Sequence, residues 1–140
     1  MTADEHVSEL PRPTVPLNED SQPFWDATTE GRFTLQRCGS CPTVIWWSRA
    51  VCPECMSFDL ERFDAAGTGT IYSFSVPRGG GGRWGRAAPY VVAYVELSEG
   101  PRVMTNIVGC DPDSVAIGMA VRVVWEPTAD GPAIPRFTPA

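Results

Sequence analysis

The chain has 140 residues, enough for one compact domain and a small appendage, and carries a formal net charge of −6. Much of that charge sits in the first twenty residues, where Asp4, Glu5, Glu9, Glu19 and Asp20 oppose Arg12, and every basic residue is an arginine. This balance disfavours a general nucleic-acid binder, whose affinity comes largely from neutralising phosphates.

No apolar run approaches the roughly eighteen residues of a membrane span. The first residues show neither the basic start nor the apolar stretch of a signal peptide. A cytoplasmic protein with no membrane partner is expected. Proline (14) and glycine (13) are both abundant, which favours short strands and many turns over long helices.

Residues 1–21 are polar, acidic and interrupted by Pro11, Pro13 and Pro16, and read as a flexible acidic tail. A short helix follows over 23–31, with Asp20 or Ser21 to cap it, Pro23 in its first turn and Gly31 to close it. Its adjacent aromatics, Phe24 and Trp25, either pack on the body of the chain or dock on a partner. Residues 33–37 alternate as a strand, and Val44-Ile45-Trp46-Trp47 is a second β-prone run. Further strands are expected at 60–64, 68–76, 90–97, 102–108, 121–126 and 134–137, with a helical turn after Asp111. The fold class is mainly β: helix and zinc ribbon over 22–62, then a five-stranded OB-fold barrel over 63–140.

The strongest chemical signal is Cys38-Gly-Ser-Cys41 followed, ten residues on, by Cys52-Pro-Glu-Cys55. Two C-x2-C turns aim four thiolates at one point, the donor set of a structural zinc site. Iron in a rubredoxin-like site uses similar spacing, so both metals stay open. Four cysteine ligands leave no position for water or substrate, which makes the site structural. The residues after each second cysteine are Pro42 and Met56, where knuckles often place glycine. Pro42 has no N–H to offer a sulfur, so the first knuckle is expected to be the looser.

Catalytic groups are scarce. The single histidine, His6, lies in the tail, which leaves Cys110 and any serine without a dependable base. No Walker loop or dinucleotide fingerprint is present. One segment does gather functional residue types: 77–89 holds Arg78, Arg83 and Arg86, five glycines and Trp84, with no acid. It reads as an exposed, mobile loop between strands. Its arginines suit phosphate and its tryptophan suits a ring, as in a phosphate-rich small molecule such as coenzyme A, or in single-stranded nucleic acid.

Taken in order, the residues resemble a known family. They are Pro23-Phe24-Trp25, Arg37-Cys38-Gly-Ser-Cys41, Cys52-Pro53-Glu54-Cys55, the run 67–74, Pro89 to Leu97, Asn106-Ile107-Val108-Gly109 and 117–123. The chain is similar over roughly 22–138 to the acyl-CoA-associated proteins that fuse a rubredoxin-like zinc ribbon to an OB-fold. The resemblance implies a non-catalytic accessory subunit of a thiolase-like enzyme, such as a thiolase or a steroid side-chain aldolase, in a hetero-oligomer such as a heterotetramer. It implies structural Zn(2+) on Cys38, Cys41, Cys52 and Cys55, and acyl-CoA as a ligand of the complex. Arg78, Arg83, Trp84, Arg86, Phe24 and Trp25 are the candidate contacts with acyl-CoA or the partner. An OB-fold nucleic-acid-binding protein is the competing reading.

Overall fold

The computed structural model describes residues 8–140; His6 and the rest of the expected tail through residue 7 lie outside the described residues. Helix α1 (Gln22–Thr28) comes first, and then three strands form a small sheet: β1 (Thr34–Cys38), β2 (Val44–Ile45) and β3 (Leu60–Asp64). Its order is β2-β1-β3, with both pairs antiparallel. Five strands follow: β4 (Thr68–Ser75), β5 (Val91–Leu97), β6 (Arg102–Ile107), β7 (Ala120–Pro127) and β8 (Ala133–Pro139). They close a barrel in the order β4-β5-β6-β8-β7, which leaves no open edge. The expected β-rich ribbon and five-stranded barrel are both present. One strand changes place, because β3 pairs along its whole length with β1 and runs to Asp64, across the expected boundary after residue 62.

Period-two patterning explains the barrel. In β5, Val91, Ala93, Val95 and Leu97 are all buried while Tyr94 is exposed, as alternate side chains point to opposite faces. Ile71, Val103, Ile107, Val121, Trp125, Ala133 and Phe137 complete the interior from the other four strands.

The core does not stop at the barrel wall. Phe33 stacks on Trp46 at 5.3 Å between ring centroids, and meets Phe24 at 5.5 Å and both Trp125 and Phe137 at 6.3 Å. Trp25 and Trp47 add further edge-on contacts around Phe24. Thr28, fully buried, accepts the Ala133 amide through its hydroxyl at 3.0 Å and so ties the end of α1 to β8. Gly31 closes α1 with φ 71, the left-handed value its lack of Cβ allows.

Residues 8–14, read from composition as part of a flexible tail, lie against the barrel instead. Glu126 on β7 and Arg136 on β8 form an ion pair, Oε2 to Nε at 2.9 Å, with side chains 0% and 3% exposed. These two atoms face each other without the straight geometry of a hydrogen bond. The N-terminal arm supplies what the pair otherwise lacks. The Ser8 amide donates to Glu126 Oε1 at 2.5 Å, while Arg136 donates to the Ser8 hydroxyl at 3.2 Å and to the Pro11 carbonyl at 2.7 Å. Leu10 is buried in a cluster with Val108 and Val124. Burial lowers the pKa of Arg136, an effect partly offset by the charge on Glu126. Buried charges need such partners, and composition alone does not reveal them. Glu126→Ala should therefore cost about 3–5 kcal/mol, because it strands a buried guanidinium. Chemical denaturation of the two proteins side by side checks this.

Candidate functional site

β1 and the turn after it carry the first cysteine pair, and the turn between β2 and β3 carries the second. Pairing of β1 with β2 and β3 brings both turns to one end of the sheet. The four Sγ atoms of Cys38, Cys41, Cys52 and Cys55 all lie within 4.8 Å of one another. Cys38 to Cys55 is 3.6 Å and Cys41 to Cys52 is 3.7 Å. A tetrahedron with Zn–S bonds of about 2.3 Å has S–S edges of about 3.8 Å, so the donor set fits the metal. Such a site would hold the ribbon together and offer substrate no open position. Cys110 stands apart, half-buried against the main core.

The two knuckles differ in a way the spacing does not reveal. Pro42 has no amide hydrogen to give, but the Thr43 hydroxyl lies 3.1 Å from Cys41 Sγ. That hydrogen bond is the main cause of a Cys41 pKa lowered to about 6 in the metal-free ligand set. The looseness expected of the first knuckle thus meets a compensating contact. At Cys55 the Ser57 backbone pulls the pKa down, yet burial and the neighbouring sulfurs push it up to about 12. Met56 takes a left-handed φ of 66, which a non-glycine residue adopts at a cost of about 1–2 kcal/mol. Strain therefore sits in the second knuckle.

The aromatic and arginine candidates separate. Phe24 is 1% exposed and packed in the ribbon–barrel seam, as the packing reading of its ring expects. Trp25 is half-buried in the same seam. The 77–89 segment is not wholly irregular, since it contains a short helix, α2 (Gly82–Ala87). Gly85 permits this turn, because a Cβ there would lie 2.0 Å from the Gly80 carbonyl oxygen. Arg78 forms an ion pair with Asp113, which ties the start of the segment to the loop before β7.

The other three functional side chains of this segment line two cavities on adjoining sides of α2. Arg83 and Arg86 share one of about 320 Å³ with Ala87 and with Glu9 and Pro11 of the arm. Trp84, its ring 5.1 Å from that of Tyr90, walls a second of about 390 Å³ with Val92, Met104, Thr105 and Asn106. Sequence reasoning missed Glu9, Tyr90 and Met104, because only the closed barrel brings these distant segments together. Thr43 was visible two positions after Cys41 as a hydroxyl able to replace the missing Pro42 amide.

Comparison with known proteins agrees with this geometry. A family model described as "ChsH2, rubredoxin-like zinc ribbon domain" matches residues 25–61, and one described as "ChsH2, C-terminal OB-fold domain" matches 64–126. A "DUF35 domain-containing scaffold protein" of Methanothermobacter thermautotrophicus is 45% identical over 94 residues, covering 66% of this chain and 71% of its own. A "Probable enoyl-CoA hydratase alpha subunit" of Thermomonospora curvata is 40% identical over 129 residues, 92% of this chain. A "3-oxo-4,17-pregnadiene-20-carboxyl-CoA hydratase alpha subunit" of Mycobacterium tuberculosis is 34% identical over 120 residues, 77% of this chain. The chain spans only 40% and 34% of those two hydratase subunits. A solved structure described as "Ltp2-ChsH2(DUF35) aldolase" superposes with a TM-score of 0.78 at 39% identity, covering 91% of this chain and 98% of that one. The chain belongs to the ChsH2 family of DUF35 proteins, which join a rubredoxin-like zinc ribbon to an OB-fold.

Metal analysis of the purified chain should find one zinc per molecule. Chelation should unfold the ribbon and change the fluorescence of Trp46 and Trp47 in the seam; a folded protein with negligible metal would contradict this. Thr43→Val should weaken zinc binding about 10–100-fold, as loss of a partner to a ligand does. The sign with pH follows from proton competition: without the Thr43 hydrogen bond the Cys41 pKa rises, so zinc should be released at a higher pH than from the wild type. A chelator competition series across pH reads both effects.

Proposed function

We propose that this member of the ChsH2 family is a non-catalytic accessory subunit that binds a thiolase-superfamily enzyme, a thiolase or a lipid-transfer-protein-like aldolase. In that assembly it supports acyl-CoA binding or transfer during steroid side-chain breakdown or related acyl-CoA degradation. The observation that carries this reading is the likeness, over 98% of that chain, to a solved component described as an Ltp2–ChsH2(DUF35) aldolase. The scaffold names of two archaeal relatives point the same way. The pregnadiene-carboxyl-CoA name of another relative supports a steroid acyl-CoA setting.

The chemistry of the chain is consistent with a supporting role. The four-cysteine set is closed to substrate. Cys110 is half-buried and packs against the main apolar core, a setting that does not favour a thiolate nucleophile. What the fold offers is a rigid two-part platform, with ribbon and barrel fused through one aromatic seam. The zinc, held by Cys38, Cys41, Cys52 and Cys55, maintains the ribbon half of that platform.

Co-expression with a thiolase-superfamily enzyme encoded beside it tests the proposal. The two chains should co-purify as a hetero-oligomer, and the enzyme's turnover of acyl-CoA should depend on this chain. Separate elution together with unchanged activity would overturn the reading.

A further inference from the structure

We propose that the two cavities flanking α2 form one binding site for a purine nucleotide bearing more than one phosphate. Arg83 and Arg86 take the phosphates, and the Trp84 groove takes the base. The inference rests on the acyl-CoA reading above and deepens it: the site would hold the nucleotide end of coenzyme A, far from the thioester, and leave the acyl end to the partner enzyme.

The arrangement argues for such a ligand on three grounds. First, Arg83 and Arg86 are three apart on α2 and line one cavity, so their guanidinium groups can converge on the same anion. Among the described residues, no hydrogen bond or ion pair engages either of them, whereas Arg78 is already occupied by Asp113. Second, the neighbouring groove is mostly apolar, with Trp84 39% and Met104 65% exposed. Asn106 also lines the groove; its Nδ2 donates to the Val91 carbonyl, which leaves Oδ1 as the polar atom for a heterocycle. Aromatic faces and phosphate-pairing arginines side by side match the two halves of a nucleotide. Third, the two volumes, about 320 and 390 Å³, are each in the range of small-molecule sites, and both are lined by residues of α2.

The N-terminal arm makes one wall of this site. Ala87 and Tyr90 pack against the cluster that Leu10 forms with Val108 and Val124, so the arm and the end of α2 share one small core. Glu9 faces the same cavity as the two arginines and opposes an incoming anion. Its carboxylate gives the site a signature that a merely basic surface lacks: Glu9→Gln should tighten phosphate binding.

The test is calorimetric titration of the full-length, zinc-loaded chain with adenosine 3′,5′-bisphosphate, with adenosine alone and inorganic phosphate alone as separate probes. The bisphosphate should bind saturably and more tightly than either fragment. Arg83→Ala with Arg86→Ala should weaken it at least tenfold and flatten its salt dependence. Trp84→Ala should weaken it severalfold without altering that dependence, and Glu9→Gln should strengthen it. Circular dichroism and the paired lysine variant, which keeps the charge, separate lost contacts from lost folding. Absence of saturable binding at low salt, or binding indifferent to the arginine pair, would overturn the site. Tighter binding of a short single-stranded oligonucleotide than of the bisphosphate would reassign it to nucleic acid. Co-purification of the arginine variants with the thiolase-like partner keeps the two proposals apart: a partner retained without nucleotide binding defeats only this inference, and nucleotide bound with no partner defeats only the accessory role.

Discussion

Phe33 lies one residue before β1 and touches four other rings: Phe24 from α1, Trp46 from the ribbon, and Trp125 and Phe137 from the barrel. The ribbon has only a small cluster of its own, built from Cys38, Ile45 and Cys52 with Cys41 and Leu60 beside them. That is too little apolar surface to fold alone, which is why units of this size use a metal. The ring contacts give the ribbon a second source of stability, because they join its outer face to the core of a closed barrel. Edge-on and stacked pairs have preferred geometries as well as buried area. They fix the orientation of the ribbon on the barrel, not merely its attachment. The accessory role proposed above needs that orientation to be single-valued.

The same logic separates the roles of the two metal knuckles. Buried Cys38 and Cys52 belong to the ribbon's small core, while Cys55 is exposed at the outer end. The Thr43 hydroxyl supports one turn, and a left-handed Met56 strains the other. Around this end the exposed side chains of Met56 and Phe58, 70% and 81% accessible, stand on the outer surface of the turn. The metal in such a site shapes a surface rather than an active centre.

Much of the architecture is legible in the sequence. Cysteine spacing identifies the ribbon because four thiolates on short turns have few other uses, and alternation in 91–97 identifies a barrel strand because it is a local pattern. What stayed hidden depends on contacts between distant residues. Leu60 to Asp64 reads as a strand, but nothing within it says that β1 is its neighbour. Phe24 and Trp25 look alike in sequence, and only the fold makes one fully buried and the other half-buried. The glycine-rich stretch at 79–82 masks α2, since glycine lowers helix propensity and Gly85 is tolerated there for the space it leaves beside Gly80. The charged and proline-rich composition of residues 8–21 suggested a tail because the buried partners of Ser8 and Pro11 are more than a hundred residues away.

That last separation has a consequence for how the molecule assembles. The Ser8–Glu126 contact spans 118 residues and the Ser8–Arg136 contact spans 128. Loop-closure entropy makes such contacts late events, formed once β7 and β8 are already in place. Until then Glu126 and Arg136 remain open to water on the arm side. The arm therefore settles only after the strands that form its docking ground, and its arrival is the step that dries the ion pair.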